Sequence, residues 1–83
     1  MKLQLITPEK IFFEGEVAQV NIPGTEGDFG VLPGHAAFVS TIREGEIVID
    51  LASGETRRVS VTGGIAEVTP EKCVVLADSA TQT

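Results

Sequence analysis

Eighty-three residues make one small domain, able to bury roughly 60–65% of its unfolded surface in a single core. Twelve acidic against six basic side chains leave a net charge of −6, and no basic cluster exceeds Arg57-Arg58, which argues against a nucleic-acid partner. No stretch reaches the roughly 18–20 consecutive apolar residues of a membrane span; the N-terminus has neither signal- nor transit-peptide character, and the lone Cys73 cannot close an internal disulfide. No direct membrane insertion is expected, and the pattern favours a bacterial cytoplasmic product over a processed organellar one.

Period-two alternation recurs along the chain and helical periodicity does not. Leu3 and Leu5 alternate with Lys2 and Gln4, which predicts a first strand. Thr7-Pro8-Glu9-Lys10 reads as a turn with Pro8 at its second position. Ile11-Phe12-Phe13 predicts a short apolar strand broken by Gly15; next, Ala18, Val20 and Ile22 share one face, with Gln19 and Asn21 on the other.

Pro23 to His35 holds four of the nine glycines, two of the four prolines and the single histidine. Such a stretch predicts a shaped loop, with Phe29, Val31 and Leu32 anchoring it while Glu26, Asp28 and His35 project as a contact surface. Phe38 to Ile42 is rich in β-formers, and Glu44-Gly45 turns it back. Ile47, Ile49 and Leu51 alternate with Glu46 and Asp50, Ser53-Gly54 turns, and Thr56 to Thr62 returns as the second arm of a hairpin. Gly63-Gly64 interrupts; Ile65 to Val68 leads into a second Thr-Pro-Glu-Lys at 69–72, then the apolar strand Val74 to Ala77. The repeated tetrapeptide reads as two similar turns rather than a duplication. Asp78 to Thr83 looks like a polar tail (residues 79–83) on one domain spanning 1–83. The expected fold is all-β, a flattened antiparallel sandwich or barrel of about ten short strands.

No motif for chemistry emerges. Asp28-Phe29-Gly30 spells a kinase tripeptide without the rest of that set, and the glycines at 24, 27 and 30 do not form a dinucleotide fingerprint. Glu14/Glu16 and Glu26/Asp28 are carboxylate pairs without the ligand sets that calcium or zinc require; the first reads as solvated loop, the second as part of a binding surface. His35 lacks an evident catalytic partner and suits loop-holding or protein contact. Arg57 and Arg58 point to opposite faces of their strand, one solvated and the other paired with an acid next door. Cys73 opens an apolar run and reads as a buried structural thiol. No catalytic residue, metal or cofactor is expected.

Three segments together carry a resemblance: Gly24-Thr25-Glu26-Gly27-Asp28-Phe29-Gly30-Val31-Leu32-Pro33-Gly34-His35-Ala36, Gly63-Gly64-Ile65-Ala66-Glu67-Val68 and Val75-Leu76-Ala77-Asp78. In order and spacing the whole chain resembles the epsilon subunit of F-type ATP synthases, called delta in mitochondria. That resemblance implies a ten-stranded β-sandwich in the central stalk, a rotor part at the cytoplasmic face of the bacterial inner membrane. Its partners would be the gamma subunit and the c-ring, and it would help couple proton flow to ATP synthesis without doing chemistry. It implies that Glu26 and Asp28 face the c-ring and that Thr7, His35 and Ser40 lie near gamma; because a torque-bearing association must be long-lived, gamma is expected to be held mainly by apolar and neutral contacts. Family members continue into a two-helix C-terminal domain that inhibits hydrolysis and in some bacteria binds ATP. This sequence stops at Thr83, so the chain is expected to assemble without inhibiting by helix insertion. The alternatives are a free-standing β-sandwich module for a protein or glycan, against which the lack of Trp and Tyr counts, and an enzyme, which would need a nucleophile–base pair or metal site.

Overall fold

A computed structural model describes residues 1–34 and 36–83, and among them every regular element is a strand. The nine strands are β1 (Lys2–Ile6), β2 (Ile11–Gly24), β3 (Gly27–Val31), β4 (Phe38–Ile42), β5 (Gly45–Leu51), β6 (Thr56–Val61), β7 (Gly64–Val68), β8 (Lys72–Ala77) and β9 (Ala80–Gln82). The all-β sandwich expectation stands, with nine strands rather than about ten.

β2 organises the whole. Its first part pairs with β1, from Ile11↔Ile6 to Glu16↔Lys2, while Val17 to Gly24 pairs with β5 and β3. One layer is therefore β4-β7-β8-β1 with the start of β2, and the other is β3, the end of β2, β5, β6 and β9. Gly15 does not break this strand, because it lies opposite Leu3 within the β1–β2 ladder. The alternation is shifted instead at Ala18, where Val17 pairs with Leu51 and Gln19 with Asp50, leaving Ala18 as an extra residue. This bulge bends the strand and puts Val17 in the core with Val20 and Ile22, while Ala18, expected on one face with those two, is exposed.

Most pairings are antiparallel, but β1 and β8 run parallel, from Lys2↔Lys72 to Ile6↔Leu76. The chain needs no crossover helix because strands of the opposite layer and the β4–β7 ladder lie between the two in sequence. The two Thr-Pro-Glu-Lys turns are closed alike. Thr7 N–H and Oγ1–H both donate to Lys10 O (2.9 and 3.2 Å), and Thr69 does the same to Lys72 O (2.8 and 3.1 Å).

The core lies between the layers. Leu3, Leu5, Val20, Ile22, Val31, Ile47, Ile49, Val75 and Cys73 are essentially inaccessible, and full burial of each Leu, Ile or Val side chain stabilises by about 1.5–3 kcal/mol. The expected buried thiol is thus observed. The expected polar tail is instead largely strand: β9 pairs with β6, and Thr83 Oγ1 donates to Glu46 Oε2 (3.2 Å) and Arg58 O (3.2 Å).

Candidate docking surface

The stretch expected as a loop is mostly a tight hairpin. β2 runs on to Gly24, Thr25-Glu26 make the turn, and β3 returns from Gly27, whose φ of +131° absorbs the reversal. Glycine and proline do not break the ladder here, since Pro23 still pairs with Asp28 and Gly24 with Gly27. The tip is tied to the end of β4: Thr25 N–H donates to Thr41 O (3.0 Å), and the hydroxyls of Thr25 and Thr41 lie 2.6 Å apart. Below it, the Phe29 and Phe38 rings pack edge to face at 5.2 Å.

Glu26 stands exposed at this tip with no ion pair among the described residues. Asp28 differs, because the guanidinium of Arg43 holds its carboxylate. The hairpin thus presents one free acid rather than two. Thr7 is 93% buried by its surroundings, only 7% exposed, and its hydroxyl is used up within its own turn. Ser40 is half-buried on β4 and donates to Thr41 O (3.0 Å). His35 lies outside the described residues. The structure therefore groups Glu26 with Asp28 at the hairpin, and sets Thr7 and Ser40 at the borders of the other layer.

Glu14 and Glu16 lie on a strand rather than a loop. Glu14 accepts from Gln4 Nε2 (2.7 Å) and pairs with Lys2 Nζ (3.3 Å); the Gln4 hydrogen bond first, then Lys2, holds its carboxyl below the usual range. Glu16 pairs with the terminal amine (3.3 Å). Arg58 pairs with Glu46 on the neighbouring strand (3.1 Å), as expected, while Arg57 lies over the Phe13 ring at 5.9 Å. The four phenylalanines pack at least partly against the core, which leaves no open aromatic platform of the kind glycans use.

The most distinctive surface is one the sequence reading did not assemble. Across the outer face of β4-β7-β8-β1, Thr41 lies opposite Ile65, Ile65 opposite Leu76, Leu76 beside Ile6, and Ile6 opposite Ile11. The next row holds Val39, Glu67, Val74 and Gln4. Ile65 (38% exposed), Leu76 (48%), Ile11 (55%) and Val39 (61%) are four of the five large exposed apolar residues, and they share this sheet face or its edge. Val39, Ile65, Glu67, Val74 and Leu76 line a shallow groove of about 290 Å³. A second depression, bordered by Ile6, Thr7, Pro8, Leu76, Ala77 and Asp78, continues it. A contiguous apolar surface rimmed by polar residues suits a protein partner, and it offers no convergent acid–base pair. The available signal was Val74 to Ala77, a run apolar on both faces, which only a strand covered on both sides requires.

Residues 1–83 match the family model described as ATP synthase, Delta/Epsilon chain, beta-sandwich domain. The chain is 52% identical over 77 residues to an ATP synthase epsilon chain of Bradyrhizobium sp. (strain BTAi1), covering 93% of this chain and 56% of that one. It is 53% identical over 79 residues to the corresponding chain of Rhodopseudomonas palustris (strain HaA2), covering 95% and 58%. The chain thus spans a little over half the length of these curated relatives. Among solved structures, a chain in the cryo-EM structure of Euglena gracilis mitochondrial ATP synthase, OSCP/F1/c-ring, superposes with a TM-score of 0.90 at 26% identity, over 96% of this chain and 51% of that one. A chain in the Tetrahymena thermophila central stalk/c-ring structure shares the fold, with a TM-score of 0.79 at 19% identity, over 98% and 65%.

Proposed function

The chain belongs to the delta/epsilon β-sandwich family of ATP synthase, and from that footing we propose that it is a non-catalytic module of the central stalk. In this reading the outer face of β4-β7-β8-β1 seats the gamma subunit, and the β2–β3 hairpin turns Glu26 toward the polar loops of the c-ring. Thr7 borders the gamma contact, Ser40 lies at its β4 edge with its side chain on the inner face beside Ala66, and Asp28 supports the hairpin through Arg43. The module turns with its partners and helps couple transmembrane proton flow to ATP synthesis on other subunits, at the cytoplasmic face of the membrane. The observation that carries this reading is the row Ile65–Leu76–Ile6, solvent-facing on a stiff sheet and apolar without a covering element of its own. Apolar contact of this kind gives a long-lived association, which a torque-bearing joint needs. The test is co-elution of the chain with its cognate gamma subunit on a sizing column. A stable one-to-one complex is expected; a folded chain that elutes alone would reject the assignment.

A further inference from the structure

We propose that Glu67 is the polar key of this face and accepts a Lys or Arg side chain from the docked partner; this rests on the docking reading above. Glu67 points outward from β7, in register with Val39 on β4 and Val74 on β8, and all three line the groove with Ile65 and Leu76. Of the other acids on this sheet face, Glu14 is matched by Lys2 and Gln4 and Glu16 by the terminal amine, while Asp78 stands past the end of β8 on the rim of the second depression, outside the groove that Glu67 lines. Glu67 makes no ion pair or side-chain hydrogen bond among the described residues. Lys72, the nearest cation by register, stands one rung away on β8 opposite Thr69, and it makes no ion pair with Glu67.

In the free chain, water solvates the carboxylate. Covering Val39, Ile65, Val74 and Leu76 removes that water, because the carboxylate stands among them. A carboxylate stripped of water in an apolar contact must be matched by opposite charge and donors. The occupant is therefore a segment with an apolar stripe and one basic side chain set to meet Glu67, a guanidinium being best suited to bind it through two parallel hydrogen bonds. A second copy of this chain fits poorly, since a two-fold axis through the groove would bring two Glu67 carboxylates together. Glu67 thus fixes the register of an otherwise slippery apolar contact.

The test is the affinity of cognate gamma subunit for the wild-type chain and for Glu67→Gln, Leu76→Ser and Lys72→Ala, with sedimentation of each chain alone. Glu67→Gln should weaken binding about 30-fold or more with an unchanged melting transition, because truncating one member of a desolvated pair strands the other. Lys72→Ala should leave affinity unchanged. Leu76→Ser weakening binding while Glu67→Gln does not would overturn this inference and leave the docking reading standing. A Lys72→Ala loss equal to that of Glu67→Gln would place the counter-charge within the chain and overturn it equally, as would dimerisation of the isolated Glu67→Gln chain through this face. If neither Leu76→Ser nor Glu67→Gln alters binding, the docking reading itself falls.

Discussion

Arg43 reaches from the end of β4 to hold the carboxylate of Asp28 on β3, while its Nη1 donates to Glu44 O (3.2 Å). Fifteen residues apart in sequence, the two join the hairpin to the sheet that carries the groove. The charge that the hairpin offers outward is therefore Glu26 alone.

The two acids should accordingly behave differently. Glu26→Lys is expected to weaken association of the gamma-bound chain with detergent-solubilised c-ring, with less effect from Asp28→Asn. Arg43→Ala should cost no more than about 1 kcal/mol of stability, the usual worth of an exposed pair. Equal losses from Glu26→Lys and Asp28→Asn in a pull-down would remove the distinction drawn here.

Gly64 should tolerate no side chain. A Cβ there would lie 2.1 Å from Leu76 O, and its φ of +149° already disfavours one. Gly54, at φ +97°, turns in open space with nothing within 4 Å. Urea unfolding should therefore show Gly64→Ala losing roughly 3 kcal/mol or more, against about 1 kcal/mol for Gly54→Ala, where backbone strain acts without a clash. Comparable losses at the two positions would mean that the β7–β8 ladder yields more easily than its geometry indicates.

Burial pushes the Cys73 thiol up to about 11. The native thiol should resist alkylation at pH 8 and react once urea unfolds the chain. Because the unfolded thiol ionises near 9 while the folded one stays protonated, its contribution to stability is intact below 9 and is lost as pH rises toward 11. Against Cys73→Val, wild type should lose relative stability across that window in a pH series of melting curves. A constant difference would show that the thiol ionises as readily folded as unfolded.

Local chemistry made parts of the fold legible. The Thr-Pro-Glu-Lys turns could be read because Thr and Pro set the turn within four residues, and the β5–β6 hairpin because Ile47, Ile49, Val59 and Val61 alternate cleanly. Of the Pro23 to His35 stretch expected as a loop, Pro23 to Val31 is hairpin, because glycine and proline also serve at the end of a paired strand, where Gly24 and Gly27 close a two-residue turn. The bulge at Ala18 was hidden because Val17 and Ala18 are both apolar, and only pairing with Leu51 and Asp50 decides which one is inward. The β9 strand went unseen because Ala80, Thr81 and Gln82 carry no strand signal, and a ready edge on β6 supplies the pairing. The docking face was illegible for a deeper reason. Ile6, Ile65 and Leu76 come from three separate segments, and each looks like ordinary core until cross-strand register puts them side by side facing outward.

The most direct measurement is methyl NMR of the Ile, Leu and Val side chains as cognate gamma subunit is added. Seating on the outer face of β4-β7-β8-β1 predicts that the methyls of Ile6, Val39, Ile65, Val74 and Leu76 shift, while Val48 on the outer face of the opposite layer does not. Shifts centred on Val48, or a complex that leaves Ile65 and Leu76 unmoved, would contradict the account.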